Sequence, residues 1–313
     1  LRHLPNKNRR GNKLTSKVGF IGLGRMGLPM CHRLLQNGFD LAVHNRSRGK
    51  ITSILELGAR DGTSAGQITK NNDIILTCLP DVATVEEIFL SPGGIIESSR
   101  PGQILIDHST VGINTSKRCA EAAKSKGALF LDAPISGGTE KATDGTLTIM
   151  VGGDPEAYNK AFPVFEAMGT TVRHIGPTGT GTTVKLVNQL LVGIHSVAAA
   201  EAMLLGAKSG ADPALVFEMV SSGWGQSFML NRNAPVMLDR DFEGVRTQIS
   251  VFLKDLGLVE ELAHTLNSPT PTGDVAFKLL QEAENLGLGD KDGAAIVLPL
   301  EEKARFKINR LQD

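Results

Sequence analysis

Val18-Gly19-Phe20-Ile21-Gly22-Leu23-Gly24-Arg25-Met26-Gly27 is the stretch on which the fold turns. A short apolar run ends in a turn carrying glycine at its first, third and sixth places, and a segment of helical spacing then continues to Asn37-Gly38. In a strand–turn–helix of this kind the first glycine permits the turn and the second lets backbone amides approach a pyrophosphate. The third lets the helix pack close to the strand. The helix N-terminus then faces the anion with unpaired N–H groups and the positive end of its dipole. A strand before the glycines and a helix after them distinguish this pattern from a mere loop. Gly22, Leu23, Gly24, Arg25, Met26 and Gly27 are therefore expected to hold a dinucleotide.

Outward from this turn, short apolar runs alternate with helical stretches as far as about Pro177. They are Leu41-Ala42-Val43, Ile74 to Leu79, Ile104-Leu105-Ile106, Leu129-Phe130-Leu131, Leu147 to Val151 and Thr171 to Ile175. Continuous rather than alternating hydrophobicity suits strands buried on both faces, hence a mostly parallel sheet covered by helices. After Gly181 the pattern changes. Residues 182–209 form one Ala-, Leu- and Val-rich stretch without proline, too apolar to be expected in solvent, and the remainder reads as helices broken near 210–213, 221–225, 239–244, 268–273 and 287–293. The expected organisation is a basic leader over 1–16, a first domain over 17–180 and an all-helical domain over 181–313.

Composition excludes several classes. The chain has 313 residues, with 33 Lys plus Arg against 33 Asp plus Glu, so its formal net charge is zero. No global positive field gathers nucleic acid or anionic lipid, and neither is expected as a partner. No apolar run is expected to reach the ~18 to 20 residues of a membrane span. Cys31, Cys78 and Cys119 lie far apart without zinc-like spacing and read as reduced thiols; no metal is expected. The first 17 residues carry Arg2, Lys7, Arg9, Arg10, Lys13 and Lys17 without an apolar core, which is not a secretory signal. It reads as a disordered tail: a trimmed transit segment, a linker or an added segment. A cytoplasmic or organellar location follows.

Further candidates stand at strand ends, where ligands of open α/β sheets bind. After His44, about twenty residues past the glycines, an NAD-binding chain usually has an acid for the ribose hydroxyls. Here stand Asn45-Arg46-Ser47-Arg48. With no acid to repel a 2'-phosphate and Arg46 able to grip one, NADP is expected over NAD. Leu79-Pro80 and Thr110 end two further strands, and Thr110 can offer a hydroxyl. Asp132-Ala133-Pro134-Ile135-Ser136-Gly137-Gly138 presents consecutive amides and a hydroxyl at Ser136, Gly137 and Gly138 that can accept a substrate carboxylate. Lys185 falls in the first turn of the long helix, near the domain boundary, with Asn188 on the same face. A lysine near a helix N-terminus in apolar surroundings has its pKa depressed, the condition for proton exchange near neutrality. His195, further along the stripe, reads as a core histidine.

Taken together these motifs resemble the β-hydroxyacid dehydrogenase family over residues 17 to about 300. The resemblance rests on the glycine turn with Met26 before its last glycine, on Asp132 to Gly138 followed by Ala142 and Gly145-Thr146-Leu147, on Gly179-Thr180-Gly181 followed by Lys185 and Asn188, and on Lys254-Asp255-Leu256-Gly257-Leu258. It implies an α/β Rossmann-type doubly wound parallel sheet plus an all-α C-terminal domain that joins homodimers or homotetramers. It also implies Lys185 in acid–base catalysis, Asn188 and Ser136 to Gly138 on the substrate, and Lys254 closing over the cofactor. Leu191 to Met203 and Phe252 to Val259 are most similar to the threonate and related sugar-acid dehydrogenases. The expected activity is hydride transfer between NADP, or NAD, and a small hydroxy acid or aldehyde acid. The alternatives are a dinucleotide-binding scaffold without turnover and an imine reductase.

Overall fold

The computed structural model describes residues 16–244 and 246–309, so the leader expected over 1–16 lies outside the described residues but for Ser16. The chain divides into two compact units, the first reaching Thr182 and the second starting at Thr183.

Among the described residues of the first unit, nine strands make one sheet. They are β1 (Val18–Ile21), β2 (Leu41–His44), β3 (Arg60–Asp61), β4 (Ile74–Thr77), β5 (Ile104–Asp107), β6 (Leu129–Asp132), β7 (Ile135–Ser136), β8 (Leu147–Gly153) and β9 (Gly169–Gly176). Their order is β3-β2-β1-β4-β5-β6-β8-β7, with β9 on the free side of β8. The chain runs outward one way from β1 to β3 and the other way from β4 to β6, so the direction reverses between β1 and β4. From β3 to β6 every pairing is parallel, which brings the carboxyl ends of these strands to one edge. β8 turns antiparallel to β6 and β7. All four residues of β1, β4 and β5 are buried, because helices cover both faces. On one face Met30, Cys31 and Leu34 of the helix Gly27–Gln36 belong to the same core as Val18, Phe20, Leu41 and Val43.

Two strands had no counterpart in the sequence reading. Arg60-Asp61 is exposed and charged, and Ile135-Ser136 is too short to show periodicity. Both exist because a longer neighbour offers a hydrogen-bonding edge, and local propensity has no part in that.

Two carboxylates are buried at strand ends. Asp107 Oδ1 accepts from the hydroxyls of Thr77 (2.7 Å) and Ser109 (2.6 Å). Asp132 accepts from the amides of Gly179 and Thr182, each at 2.8 Å, and so ties β6 to the start of the long helix. Burial pushes both carboxyls above their ordinary range, and these hydrogen bonds offset it in part.

The long helix is Thr180–Lys208, and it crosses the boundary between the units within its first turn. By length and a mean hydropathy of 1.7 over its most apolar window it is able to cross a membrane, contrary to the expectation that no run is long enough. It is not apolar all round, however. Lys185, Gln189 and Ser196 are buried polar residues, and Gly193 lies so close to Leu256 that a Cβ would stand 2.6 Å from it. These are features of a helix packed inside protein. Nor is it wholly buried as expected: Val187, Leu191 and Leu205 are exposed.

The rest of the second unit holds the helices Pro213–Ser222, Phe228–Asp239, Ile249–Leu266, Pro271–Ala283 and Val297–Ala304. Its breaks fall where glycine, proline, Ser and Asp cluster. One buried ion pair spans it: Arg232 binds Asp292 through both guanidinium nitrogens, one at 2.7 Å, and the amides of Ala294 and Arg246 donate to the same carboxylate at 2.9 Å. Burial alone would raise the Asp292 pKa, but Arg232 and the amides outweigh it and hold the carboxyl below its ordinary value. A lowered folded-state pKa contributes stability that is present above the ordinary carboxylate value of about 4 and is lost as pH falls through the lowered value. Arg232→Leu is therefore expected to destabilise the protein by about 3 kcal/mol near neutral pH, measured by urea unfolding, and by progressively less below about pH 4.

Candidate functional site

The glycine turn joins β1 to the helix Gly27–Gln36, and its glycines do different work. Gly22 has φ +101°, and a Cβ there would stand 2.4 Å from the carbonyl oxygen of Cys78. A Cβ on Gly27 would stand 1.9 Å from the carbonyl oxygen of Gly22. Gly24 is exposed, and a Cβ there would meet nothing within 4 Å. The outer glycines thus permit close backbone packing, whereas the middle one leaves space in front of the turn. The helix that follows has no side-chain N-cap and no acid in its first turn. Leu28 donates to the Gly24 carbonyl and Met30 to the Met26 carbonyl, and Pro29 has no N–H, so what fits this turn to a pyrophosphate is the positive end of the helix dipole behind the open backbone at Gly24.

Leu23 is buried, Arg25 exposed and Met26 half-buried. The amide of Leu23 donates to Asn45 Oδ1 at 2.9 Å, while Asn45 Nδ2 donates to the carbonyl of Ser47 at 2.9 Å. Asn45 is therefore a brace between the β1 and β2 turns, a part that spacing alone did not disclose. Arg46 and Ser47 are exposed. Arg48 is ion-paired with Asp61. The expectation of an acid-free surrounding needs this correction: β3, in register with β2, carries Asp61 beside the loop, and it engages Arg48 rather than Arg46.

Leu79 and Pro80 follow β4, and Thr110 follows β5, at the same sheet edge. The Leu79 amide donates to Ser109 Oγ at 2.9 Å, which links the two loops. His108 is buried, with Nδ1 2.6 Å from the Ala133 carbonyl, and burial lowers its pKa to about 4. It is a neutral packing residue against Phe165. Ser136 lies in β7 rather than in the expected turn, and the helix Gly138–Asp144 starts directly after it. Gly137 and Gly138 have φ of +137° and +67°, and a Cβ on Gly137 would collide with the Lys141 side chain. Glycine is thus favoured at both positions.

The second unit holds the other candidates. Lys185 is 8% exposed and lies in the second turn, not the first, because the helix begins at Thr180. Asn188 shares its face. Asn188 Nδ2 donates to Gln189 Oε1 at 2.9 Å, and Gln189 Nε2 donates to Asp255 Oδ2. Asp255 Oδ1 is ion-paired with Lys254 Nζ at 2.9 Å. Two residues without an expected role, Gln189 and Asp255, thereby connect Asn188 to Lys254. Asp255 sits inside a quoted motif, but only the packing of the helix Ile249–Leu266 on the long helix shows what it meets. His195 is half-buried. Trp224, Phe228 and Asn231 are exposed, and Ser227 caps the helix Phe228–Asp239.

Residues 17–176 match the model of the NAD binding domain of 6-phosphogluconate dehydrogenase. Residues 179–300 match that described as NAD-binding of NADP-dependent 3-hydroxyisobutyrate dehydrogenase. An uncharacterized oxidoreductase of Synechocystis is 40% identical, over 90% of this chain and 97% of that protein. The 2-(hydroxymethyl)glutarate dehydrogenase of Eubacterium barkeri is 34% identical over 94% and 97%. Among solved structures, a 3-hydroxyisobutyrate dehydrogenase from Salmonella typhimurium superposes with a TM-score of 0.84 at 31% identity, covering 91% of this chain and 99% of that one. The protein Psf3, solved with NADP+ and 2-OPP, gives 0.83 at 28% identity over 90% and 99%. An imine reductase of Pseudomonas, at 20% identity and a TM-score of 0.62, shares the fold alone. The chain belongs to the β-hydroxyacid dehydrogenase family, and it is an NAD(P)-dependent oxidoreductase. NADP is the form named for the matched C-terminal model and bound in the Psf3 structure.

Because Gly22 is packed against Cys78 in a left-handed conformation, Gly22→Val is expected to abolish tight cofactor binding, measured by NADPH fluorescence titration. Unchanged affinity would remove the turn from the site.

Proposed function

We propose that the protein interconverts a small β-hydroxy acid and the corresponding semialdehyde or keto acid with NADP, using Lys185 as general acid and base. The observation that carries the proposal is a buried lysine with Asn188 one turn further along the same helix face. When bound, the nicotinamide supplies the chemistry of hydride acceptance and return. Gly22, Leu23, Gly24, Arg25, Met26 and Gly27 hold the dinucleotide, with Asn45, Ser47, Leu79, Pro80 and Thr110 beside them and Lys254 closing over it. Arg46 meets the 2'-phosphate. Ser136 Oγ and the amides of Gly137 and Gly138 hold the substrate carboxylate. Lys185 Nζ takes the hydroxyl proton on oxidation and gives it back on reduction, and Asn188 orients both lysine and substrate.

A small molecule is the substrate class. The balanced charge speaks against nucleic acid or an anionic membrane surface as a partner, and a cytoplasmic or organellar setting is part of this reading. Exposed Leu205, Leu215, Met219 and Phe228 support association as a homodimer or homotetramer.

Lys185→Ala is expected to lower kcat at least ~100-fold while NADPH affinity stays nearly unchanged. Retained turnover would exclude the lysine from the mechanism. Arg46→Ala is expected to lower the NADP-over-NAD ratio of kcat/KM by about tenfold, the scale of one charge-assisted hydrogen bond. Arg48→Ala should change it far less, since Asp61 already engages that guanidinium.

A further inference from the structure

We infer that Gln189 is a positioning residue, an amide relay through which the buried carboxylate of Asp255 sets the orientation of the Asn188 side chain. The inference rests on the function proposed above, since it supposes that Asn188 serves the substrate. Gln189 and Asp255 are 7% and 3% exposed, so water does not compete for their hydrogen bonds.

The polarity of the chain of contacts is decided at one end. A carboxylate only accepts, so the side of Gln189 that meets Asp255 Oδ2 must be its Nε2. Its Oε1 is then turned to Asn188, and only an N–H of Asn188 satisfies it, which is the 2.9 Å contact observed. The Asn188 carbonyl oxygen is thereby turned away from Gln189, to act as an acceptor toward whatever donor lies before it. An asparagine alone has two amide orientations of the same shape; here an acceptor two side chains away selects one. The selected orientation presents an acceptor, as a substrate hydroxyl or an ammonium requires. The other carboxylate oxygen of Asp255, Oδ1, is ion-paired with Lys254 Nζ at 2.9 Å.

The same logic supplies a test. Gln189→Met keeps the bulk of the side chain and removes both hydrogen bonds. Asp255→Asn keeps the shape and reverses the relay: Lys254 retains the one remaining oxygen, so the new amide nitrogen faces Gln189 and both downstream amides turn over. Each variant is expected to lower kcat at least ~10-fold, since a misdirected positioning group loses that much or more. NADPH affinity of Gln189→Met, read by fluorescence titration, should stay at the wild-type value. The double variant should lose no more kcat than the worse single one, because both substitutions break one relay. Losses that multiply, or wild-type kcat in Gln189→Met, would overturn the inference. Should Gln189→Met fail to fold, Asp255→Asn decides alone, and wild-type kcat there overturns it. Asn188→Ala separates the two levels. If that variant keeps full kcat, the proposed function of Asn188 is wrong. If it loses kcat while Gln189→Met does not, only the relay is wrong.

Discussion

A backbone contact decides what the first unit can be. The Gly27 Cα lies so near the Gly22 carbonyl that a methyl group would stand 1.9 Å from the oxygen. This closeness lets the helix Gly27–Gln36 begin after a single tight turn from β1, on the carboxyl edge of the sheet. The positive end of its dipole then lies behind the space that Gly24 leaves open. The neighbouring loops depend on the same contact: Gly22 packs on the Cys78 carbonyl after β4, Asn45 braces Leu23 from β2, and Ser109 from the β5 loop holds the amide of Leu79.

The first unit was largely legible because its strands are buried on both faces. Runs such as Ile74-Ile75-Leu76 and Ile104-Leu105-Ile106 carry a signal strong enough to read without neighbours. β3 and β7 were not legible, since Arg60-Asp61 and Ile135-Ser136 become strands only when β2 and β8 lie beside them. The consequence reached the cofactor argument, for Asp61 arrives next to Arg48 through a pairing that no local spacing announces. In the long helix, composition overstated burial: hydropathy averages over the helix, whereas exposure follows its faces, and Val187 and Leu191 lie on an open one.

The second unit shows the opposite balance. Lys185 and Asn188 stood out by spacing and by resemblance, and Lys254 by resemblance alone. The groups that connect Asn188 to Lys254 did not stand out. Gln189 is an ordinary helix residue until a second helix brings Asp255 against it, and that is tertiary information. A single buried carboxylate then acts on two candidate groups at once, holding Lys254 by charge and Asn188 by the fixed polarity of two amides.

Hydride transfer from a small β-hydroxy acid, the centre of this account, is tested most directly by tracing one atom. Small β-hydroxy acids carrying deuterium on the carbinol carbon would be incubated with the protein and NADP+, and the cofactor analysed by mass spectrometry. The account predicts one deuterium in each molecule of reduced cofactor for at least one acid. Tight cofactor binding with no deuterium transferred from any acid of the panel would contradict it.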